Sequence, residues 1–499
     1  MADVEQIEEH FDPTAEISLE VVKDRAVKGI AVLTGRTVIL NIISFIAQGL
    51  LWAFIEPQEF GTFLLVSATI NFLSYFADIG LGAALIQKKE KPQNADYKTV
   101  FTVQEILVLA IVGIVFLITP LLSKTQSLSQ EAINLLYALN ISFFLASLKN
   151  IPSIILERNL EFGKFVIPQV LENLVYNVAV VFFAWRGFGI ASFTYSVLIR
   201  GIIGLISIYV LQPWKPGIAL SKKSLRGLLK FGLPYQLNNF LATVKDDGMT
   251  IVLGGILGSY GLGILGTAQK LAQYPLRFFM DNVTKVTFPA FSRMQDDKRE
   301  LAKSLSRSIF FISVLVFPSL VGLVVLFPVL IGVIPKYQKW APAFIPLALL
   351  SLNSFWAAVT TQLTNFLNSV GRIKTTFKLM IMWTVLTWVL VPFLSRRFGV
   401  AGGAFAYCLV GLSSIVVFYL VKRFLDWSIK ESVLKPFLAS FIMGVVIFLL
   451  RSFSIFEGTL GLIILIFVGG VSYAGFLYLL VGNSLIYDAK KIFSDIFSR

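Results

Sequence analysis

One cysteine, Cys408, and one histidine, His10, are all that this chain of 499 residues offers of the two side chains most used for metals and acid–base chemistry. Cys408 lies in an apolar segment and stands alone, so no intramolecular disulfide and no cysteine metal cluster can form. His10 sits in an acidic stretch with Asp3, Glu5, Glu8, Glu9, Asp12, Glu16 and Glu20, which excludes histidine chemistry within a membrane. That stretch also lacks the basic start and short apolar run of a secretory signal, and reads as a cytosolic tail instead of a cleaved leader. Charge is scarce, at 14% of residues. No GxxxxGK[ST] loop occurs, which argues against ATP hydrolysis and leaves ion or substrate gradients to drive any work. The sequence Gly261-Leu262-Gly263-Ile264-Leu265-Gly266 fits GxGxxG but opens a hydrophobic helix with no strand before it, so it is not read as a nucleotide site.

Apolar residues make up 56% of the chain and mean hydropathy is +0.78, more than one soluble core could bury. The net charge of +14 is spread singly and in pairs between hydrophobic runs, a distribution that fits anionic lipid headgroups and not nucleic acid. Only helices and closed barrels satisfy their own backbone in lipid, and these runs are long and continuous, so an all-α polytopic membrane protein is expected. Fourteen spans are predicted near 31–55, 60–86, 100–123, 131–156, 165–185, 188–211, 230–257, 260–289, 309–333, 342–368, 375–394, 400–421, 433–450 and 459–481.

Charge asymmetry orients them, because Lys and Arg are retained on the cytoplasmic side of short loops. The expected outer turns hold seven basic residues: Lys124, Arg186, Lys336, Lys339, Arg396, Arg397 and Arg451. The expected inner segments hold thirty, in clusters such as Lys88, Lys89, Lys91 and Lys98, or Arg293, Lys298, Arg299, Lys303 and Arg307. An even number of spans with both termini in the cytoplasm follows.

Two echoes suggest an internal repeat. The turn Glu59-Phe60-Gly61 is matched by Ser259-Tyr260-Gly261, and Gly187-Phe188-Gly189-Ile190-Ala191 by Arg397-Phe398-Gly399-Val400-Ala401. The expected organisation is a cytoplasmic tail (1–29), an N-lobe of six helices (30–211), a cytoplasmic linker (212–229), a C-lobe of six helices (230–424), helices 13 and 14 (425–482) and a cytoplasmic amphipathic tail (483–499). The linker, with Pro213, Pro216 and several lysines, reads as a tether along the headgroups. In the last segment Leu485, Ile486, Ala489, Ile492, Phe493, Ile496 and Phe497 share one helical face.

Ionisable groups deep in lipid cost about 2.5 to 3.5 kcal/mol each, so those present are expected to face a cavity or a partner. On the predicted eighth helix Lys270, Tyr274, Arg277 and Asp281 fall on one face, with Lys270 about 15 Å from the outer turn. The preceding helix carries Lys245, Asp246 and Asp247; Asp246 or Asp247 could instead neutralise Lys270 across the hairpin. Six cations, Arg36, Lys149, Arg200, Lys245, Lys270 and Arg277, are candidates for a path suited to phosphate or pyrophosphate. Six acids, Asp78, Glu105, Glu172, Asp246, Asp247 and Asp281, are candidates for binding a coupling H+ or Na+. No metal site or other cofactor is expected.

Several segments carry a family resemblance in their order and spacing. They are Arg25-Ala26-Val27-Lys28-Gly29, Phe60-Gly61, the run 76–87 with Phe76-Ala77-Asp78-Ile79-Gly80-Leu81-Gly82, Leu156-Glu157-Arg158-Asn159-Leu160-Glu161-Phe162, and Asn368-Ser369-Val370-Gly371-Arg372. From about residue 20 to 482 the chain resembles the Wzx-type oligosaccharide flippases of the multidrug/oligosaccharidyl-lipid/polysaccharide exporter superfamily. The resemblance implies two six-helix lobes that pass a polyprenyl-pyrophosphate-linked oligosaccharide across a bacterial or archaeal plasma membrane by alternating access. Membrane lipids, and a polysaccharide polymerase with its chain-length machinery, are the partners it implies. An ion-coupled drug or cation antiporter of the same superfamily is the first rival, against which the excess of deep cations argues. A membrane glycosyltransferase or polymerase is the second, against which the short outer turns argue.

Overall fold

A computed structural model describes residues 19–88, 90–126, 129–294, 297–453 and 458–482. The expected amphipathic tail at 483–499 lies outside these, as do the first 18 residues. Every regular element among the described residues is helical. In chain order they are α1 (Leu19–Phe54), α2 (Pro57–Ser74), α3 (Leu81–Gln87), α4 (Asn94–Gln126), α5 (Gln130–Leu148), α6 (Asn150–Arg158), α7 (Phe162–Trp185), α8 (Ala191–Leu211) and α9 (Lys222–Thr243). One of two π-turns among the described residues, Val244–Gly248, leads into α10 (Met249–Arg293), and the other is Lys430–Leu434. There follow α11 (Lys298–Val333), α12 (Phe344–Ser369), α13 (Ile373–Leu412), α14 (Ile415–Phe424), α15 (Lys435–Leu450) and α16 (Gly458–Val481).

Twelve helical segments among the described residues are long and apolar enough to cross a membrane. The sequence expectation of fourteen divides two of them, Val244–Met280 and Ile373–Phe424, each of which is two helices joined at a kink. Each of these two contains one glycine outside helical geometry, Gly258 (φ 66°) in α10 and Gly399 (φ 60°) in α13. The chain there turns on a single residue without a β-carbon, which reaches the left-handed region at little steric cost. Large apolar side chains point outward along the spans, among them Leu117 (81% exposed), Phe467 (72%) and Leu479 (76%). Water would not tolerate such a surface; hydrocarbon does.

The chain divides into two compact units at Gly255 and Ile256. In the first, α7 packs on α8 and α1, α5 on α8, α4 and α2, and α3 on α9 and α6. Its clearest apolar cluster joins Leu81, Leu85, Tyr97, Ile151, Ile155 and Trp214, at the ends of α3, α4 and α6. Arg158 holds this region by donating to the carbonyls of Leu85 (2.9 Å), Ile86 (3.1 Å) and Lys88 (2.8 Å), which α3 leaves unsatisfied at its C-terminus. Gly80 (φ 74°) and Gly232 bring α3 and α9 together so closely that a β-carbon on Gly232 would lie 2.8 Å from the Gly80 carbonyl oxygen.

In the second unit α11 packs on α12, α15 and α16, and α12 on α13. Phe291, Ile309, Phe317, Phe366 and Trp427 are central to its core. The residues of the GxGxxG match lie within helix, and Gly261 to Leu265 are buried.

The two sequence echoes meet in space within each unit. In the first, Glu59 closes a capping box on the Glu56 amide (2.8 Å), and its carboxylate covers Gly189, where a β-carbon would come within 2.4 Å of Oε1. In the second, a β-carbon on Gly261 would lie 3.2 Å from Val400. The turn after the first helix of the expected repeat thus touches the turn before its last helix both times.

Candidate functional site

The first unit gathers charge where α5, α7 and α8 pack together. Lys149 is the junction between α5 and α6, with φ −82° and ψ −13°. Its Nζ donates to Oε1 of Glu172 on α7 at 2.7 Å. Nε of Arg200, on α8, lies 3.7 Å from the other carboxylate oxygen. Glu172 is 8% exposed, whereas half of the Arg200 side chain is open. One carboxylate shared by two cations leaves a net positive charge in apolar surroundings, with its exposed part on a guanidinium suited to bidentate phosphate contacts.

The local sequence makes room for this cluster. A β-carbon at Gly204 on α8 would sit 2.1 Å from Glu172 Oε1 and 2.7 Å from its Cγ, so the carboxylate occupies space that only glycine vacates. Tyr176, one turn after Glu172, places its ring 5.8 Å from the Arg200 guanidinium.

Glu105 on α4 lies next to this cluster in sequence terms through Ser147, two residues before Lys149. The Ser147 hydroxyl is 3.0 Å from Glu105 Oε2 and 2.7 Å from the Phe144 carbonyl oxygen. A hydroxyl has one hydrogen to give. Glu105 Oε1 is buried and makes no hydrogen bond among the described residues. A carboxylic acid that donates to Ser147, which in turn donates to Phe144, satisfies more of these atoms than a carboxylate does.

The remaining expected residues fall elsewhere. Arg36 lies on α1, and its Nε is buried without a hydrogen-bond partner among the described residues. Asp78 accepts from the Gly80 amide (2.9 Å) in the turn before α3. On the π-turn, Lys245 pairs with Asp246 at 2.7 Å, Asp246 being 70% exposed, and Asp247 is hydrogen-bonded to Asn71 of α2. A π-turn inside a span is a frequent mark of functional sites. Lys270, Tyr274 and Arg277 lie on α10 in the second unit. The side chain of Asp281 falls outside the described residues. No group of three metal-ligating side chains occurs among the described residues.

Thus Lys149, Arg200 and Glu172 come together, as do Lys245 and Asp246, and Lys270 and Arg277 share a helix face. Sequence reasoning missed Ser147, Tyr176 and Gly204. A sequence signal existed only for Tyr176, which is spaced four residues from Glu172 on one helix.

Residues 50–345, more than half of the chain, match the family described as "Polysaccharide biosynthesis protein". Among curated relatives, the succinoglycan biosynthesis transport protein ExoT of Rhizobium meliloti is 24% identical, over 89% of this chain and 90% of its own. The lipopolysaccharide biosynthesis protein WzxC of Escherichia coli is 22% identical, over 81% of this chain and 82% of its own. A solved structure of the lipid II flippase MurJ, in an inward closed conformation, superposes with a TM-score of 0.71 at 19% identity, covering 91% of this chain and 99% of that one. The fold is therefore shared with that protein.

Proposed function

Because the chain belongs to the polysaccharide biosynthesis protein family, we propose that it is a flippase for polyprenyl-pyrophosphate-linked oligosaccharide units, working by alternating access in a plasma membrane. The observation that carries this reading is the Lys149–Glu172–Arg200 cluster, a net cation built into a span. A diphosphate brought against it competes with Glu172 for the two cations, and the sugars cross in water while the prenyl chain stays in lipid. Because Glu172 already neutralises one cation, the site holds the anion firmly enough to select it and weakly enough to release it. Glycan transport, not glycan synthesis, is the role supported, in keeping with the transport protein among the relatives.

The excess of basic residues in alternate loops supports cytoplasmic termini and loading from the inner leaflet. A polysaccharide polymerase and its chain-length machinery would receive the product outside. Lacking an ATP loop, the chain would draw on an H+ or Na+ gradient, with Glu105 as the carboxyl group best placed to carry a proton.

The test is a leaflet-resolved transport assay in vesicles with defined lipid-linked oligosaccharides, with and without ion gradients. Lys149→Ala, and separately Lys270→Ala or Arg277→Ala, should abolish translocation while membrane insertion persists. Normal flipping by all three variants sinks the cation assignment. Sugar transfer by the purified protein would establish the glycosyltransferase alternative instead.

A further inference from the structure

The segment between α8 and α9 is not a loose tether. Residues 213–221 form neither helix nor strand, yet they are pinned along the first turns of α4. The Ala219 amide donates to Thr102 Oγ1 (3.1 Å) and the Ser221 amide to Thr99 Oγ1 (3.2 Å). Two residues of strap match three residues of helix in the opposite sense, which is the reach of extended chain. Trp214 is buried with its ring 5.2 Å from Phe101, and the Lys98 stem crosses Gly217, where a β-carbon would come within 2.7 Å of Cε. Past its end, the Ser224 hydroxyl donates to Asp96 (2.5 Å), which also receives Lys88 (2.7 Å).

An extended chain pinned on one side presents alternate residues on the other. Here Ala219 and Ser221 face α4, and Ile218 (90% exposed) and Leu220 (62% exposed) face away. Lys215, Lys222 and Lys223 are exposed on either side of them, and none joins an ion pair among the described residues. A soluble connector would put its apolar residues inward and its polar ones outward; this one turns two large aliphatic side chains out. The level of the strap is fixed by α4. Thr102 lies one turn, about 6 Å, from Ile106, which is 59% exposed on the apolar face of the span.

We propose that the strap is a membrane-surface anchor: Ile218 and Leu220 insert at the boundary of the acyl chains, and Lys215, Lys222 and Lys223 bind the anionic headgroups of the adjoining leaflet. The lipid surface is the occupant because the apolar face of α4 continues into the strap at headgroup depth, and the flanking charge is all of one sign. Anchored in this way, the strap fixes the start of α9 to the bilayer plane, ten residues before α9 crosses α3 through Gly80 and Gly232. The anchor does not depend on which cargo the protein carries.

The experiment places a small fluorophore on Ile218→Cys, Leu220→Cys or, as a water-exposed control, Glu90→Cys, each in a Cys408→Ala background. The protein is reconstituted in vesicles of phosphatidylcholine with or without phosphatidylglycerol. Lipids brominated near the headgroup should quench the labels at 218 and 220 and not at 90, and aqueous iodide should do the reverse. In phosphatidylglycerol vesicles, each of Lys215→Gln, Lys222→Gln and Lys223→Gln should lower the ratio of lipid-inserted to water-exposed label about fivefold. Iodide access at 218 and 220 equal to that at 90 overturns the anchor. So does shielding that appears only when a cytoplasmic protein fraction is added, which would make the surface a protein-docking face. An unchanged ratio in the lysine variants overturns the headgroup contact.

Discussion

Gly204→Ala should damage the protein through Glu172 and through nothing else. On the backbone alone the change is favourable, since alanine in a helix interior gains about 1 kcal/mol over glycine. The new β-carbon, however, would lie 2.1 Å from Glu172 Oε1, 2.4 Å from Cδ and 2.7 Å from Cγ. Three atoms along the side chain block it, so rotating the carboxylate tip is not enough and Glu172 must leave its place. Its departure leaves Lys149, whose side chain is 16% exposed, without its partner. Breaking a buried pair in this way costs about 3–5 kcal/mol. Arg200 adds little, because its half-open side chain regains water. Net destabilisation of roughly 2–4 kcal/mol remains. The assay is a double-mutant cycle read by thermal unfolding in detergent. In a Glu172→Ala background the obstruction is gone, and Gly204→Ala should be neutral or stabilising. An equal loss in both backgrounds would refute the argument, because the penalty could not then come from the carboxylate.

Arg158→Lys should lower stability by about 1.5–3 kcal/mol, since an ammonium cannot span the carbonyls of Leu85, Ile86 and Lys88 as the guanidinium does; unfolding in detergent measures it. Glu105→Gln should leave folding intact and remove any dependence of flipping on a proton gradient, since an amide keeps a donor for Ser147 but carries no exchangeable charge; unaltered proton dependence would exclude Glu105 as the coupling group. Gly232→Ala should disturb the crossing of α3 and α9, because the clash is with backbone that cannot rotate aside; a loss of roughly 1–3 kcal/mol is expected, checked by thermal unfolding.

The membrane-spanning character was legible because hydropathy and the period of charged loops are properties of the chain itself. The echoed turns were legible for a related reason: Gly187, Gly189 and Gly399 all adopt positive φ, a requirement the sequence must meet locally. The way neighbouring spans join was less so. At Gly258 and Gly399 the reversal is confined to one residue, so two spans run on as one segment with no loop to separate them. Pairing was not legible at all. Lys149, Glu172 and Arg200 stand on separate elements, and their sequence spacing carries no information about a contact made by tertiary packing. Likewise nothing in the residues 212–221 distinguishes a tether from a pinned strap until Thr99 and Thr102 are seen to accept its amides.

The expected six deep cations and the observed cluster differ in what they imply for a carrier. Six free cations lining one path would hold a pyrophosphate too tightly to release it, since each charge-assisted contact adds strength in a poorly screened site. In the structure two of the six, Lys149 and Arg200, share Glu172, and a third, Lys245, is paired with Asp246. On the proposed function, a diphosphate would gain Lys149 or Lys245 only as a carboxylate gives it up, so part of the binding energy would be an exchange of partners and the net affinity would stay small. Such an exchange would also join substrate to ions. On the proposed function, a carboxylate released by the substrate's arrival would be free to take up a proton or Na+, and one that had taken up a proton would leave its cation for the substrate. Coupling of this kind requires no dedicated metal cage, only acids whose partners are also the partners of the cargo.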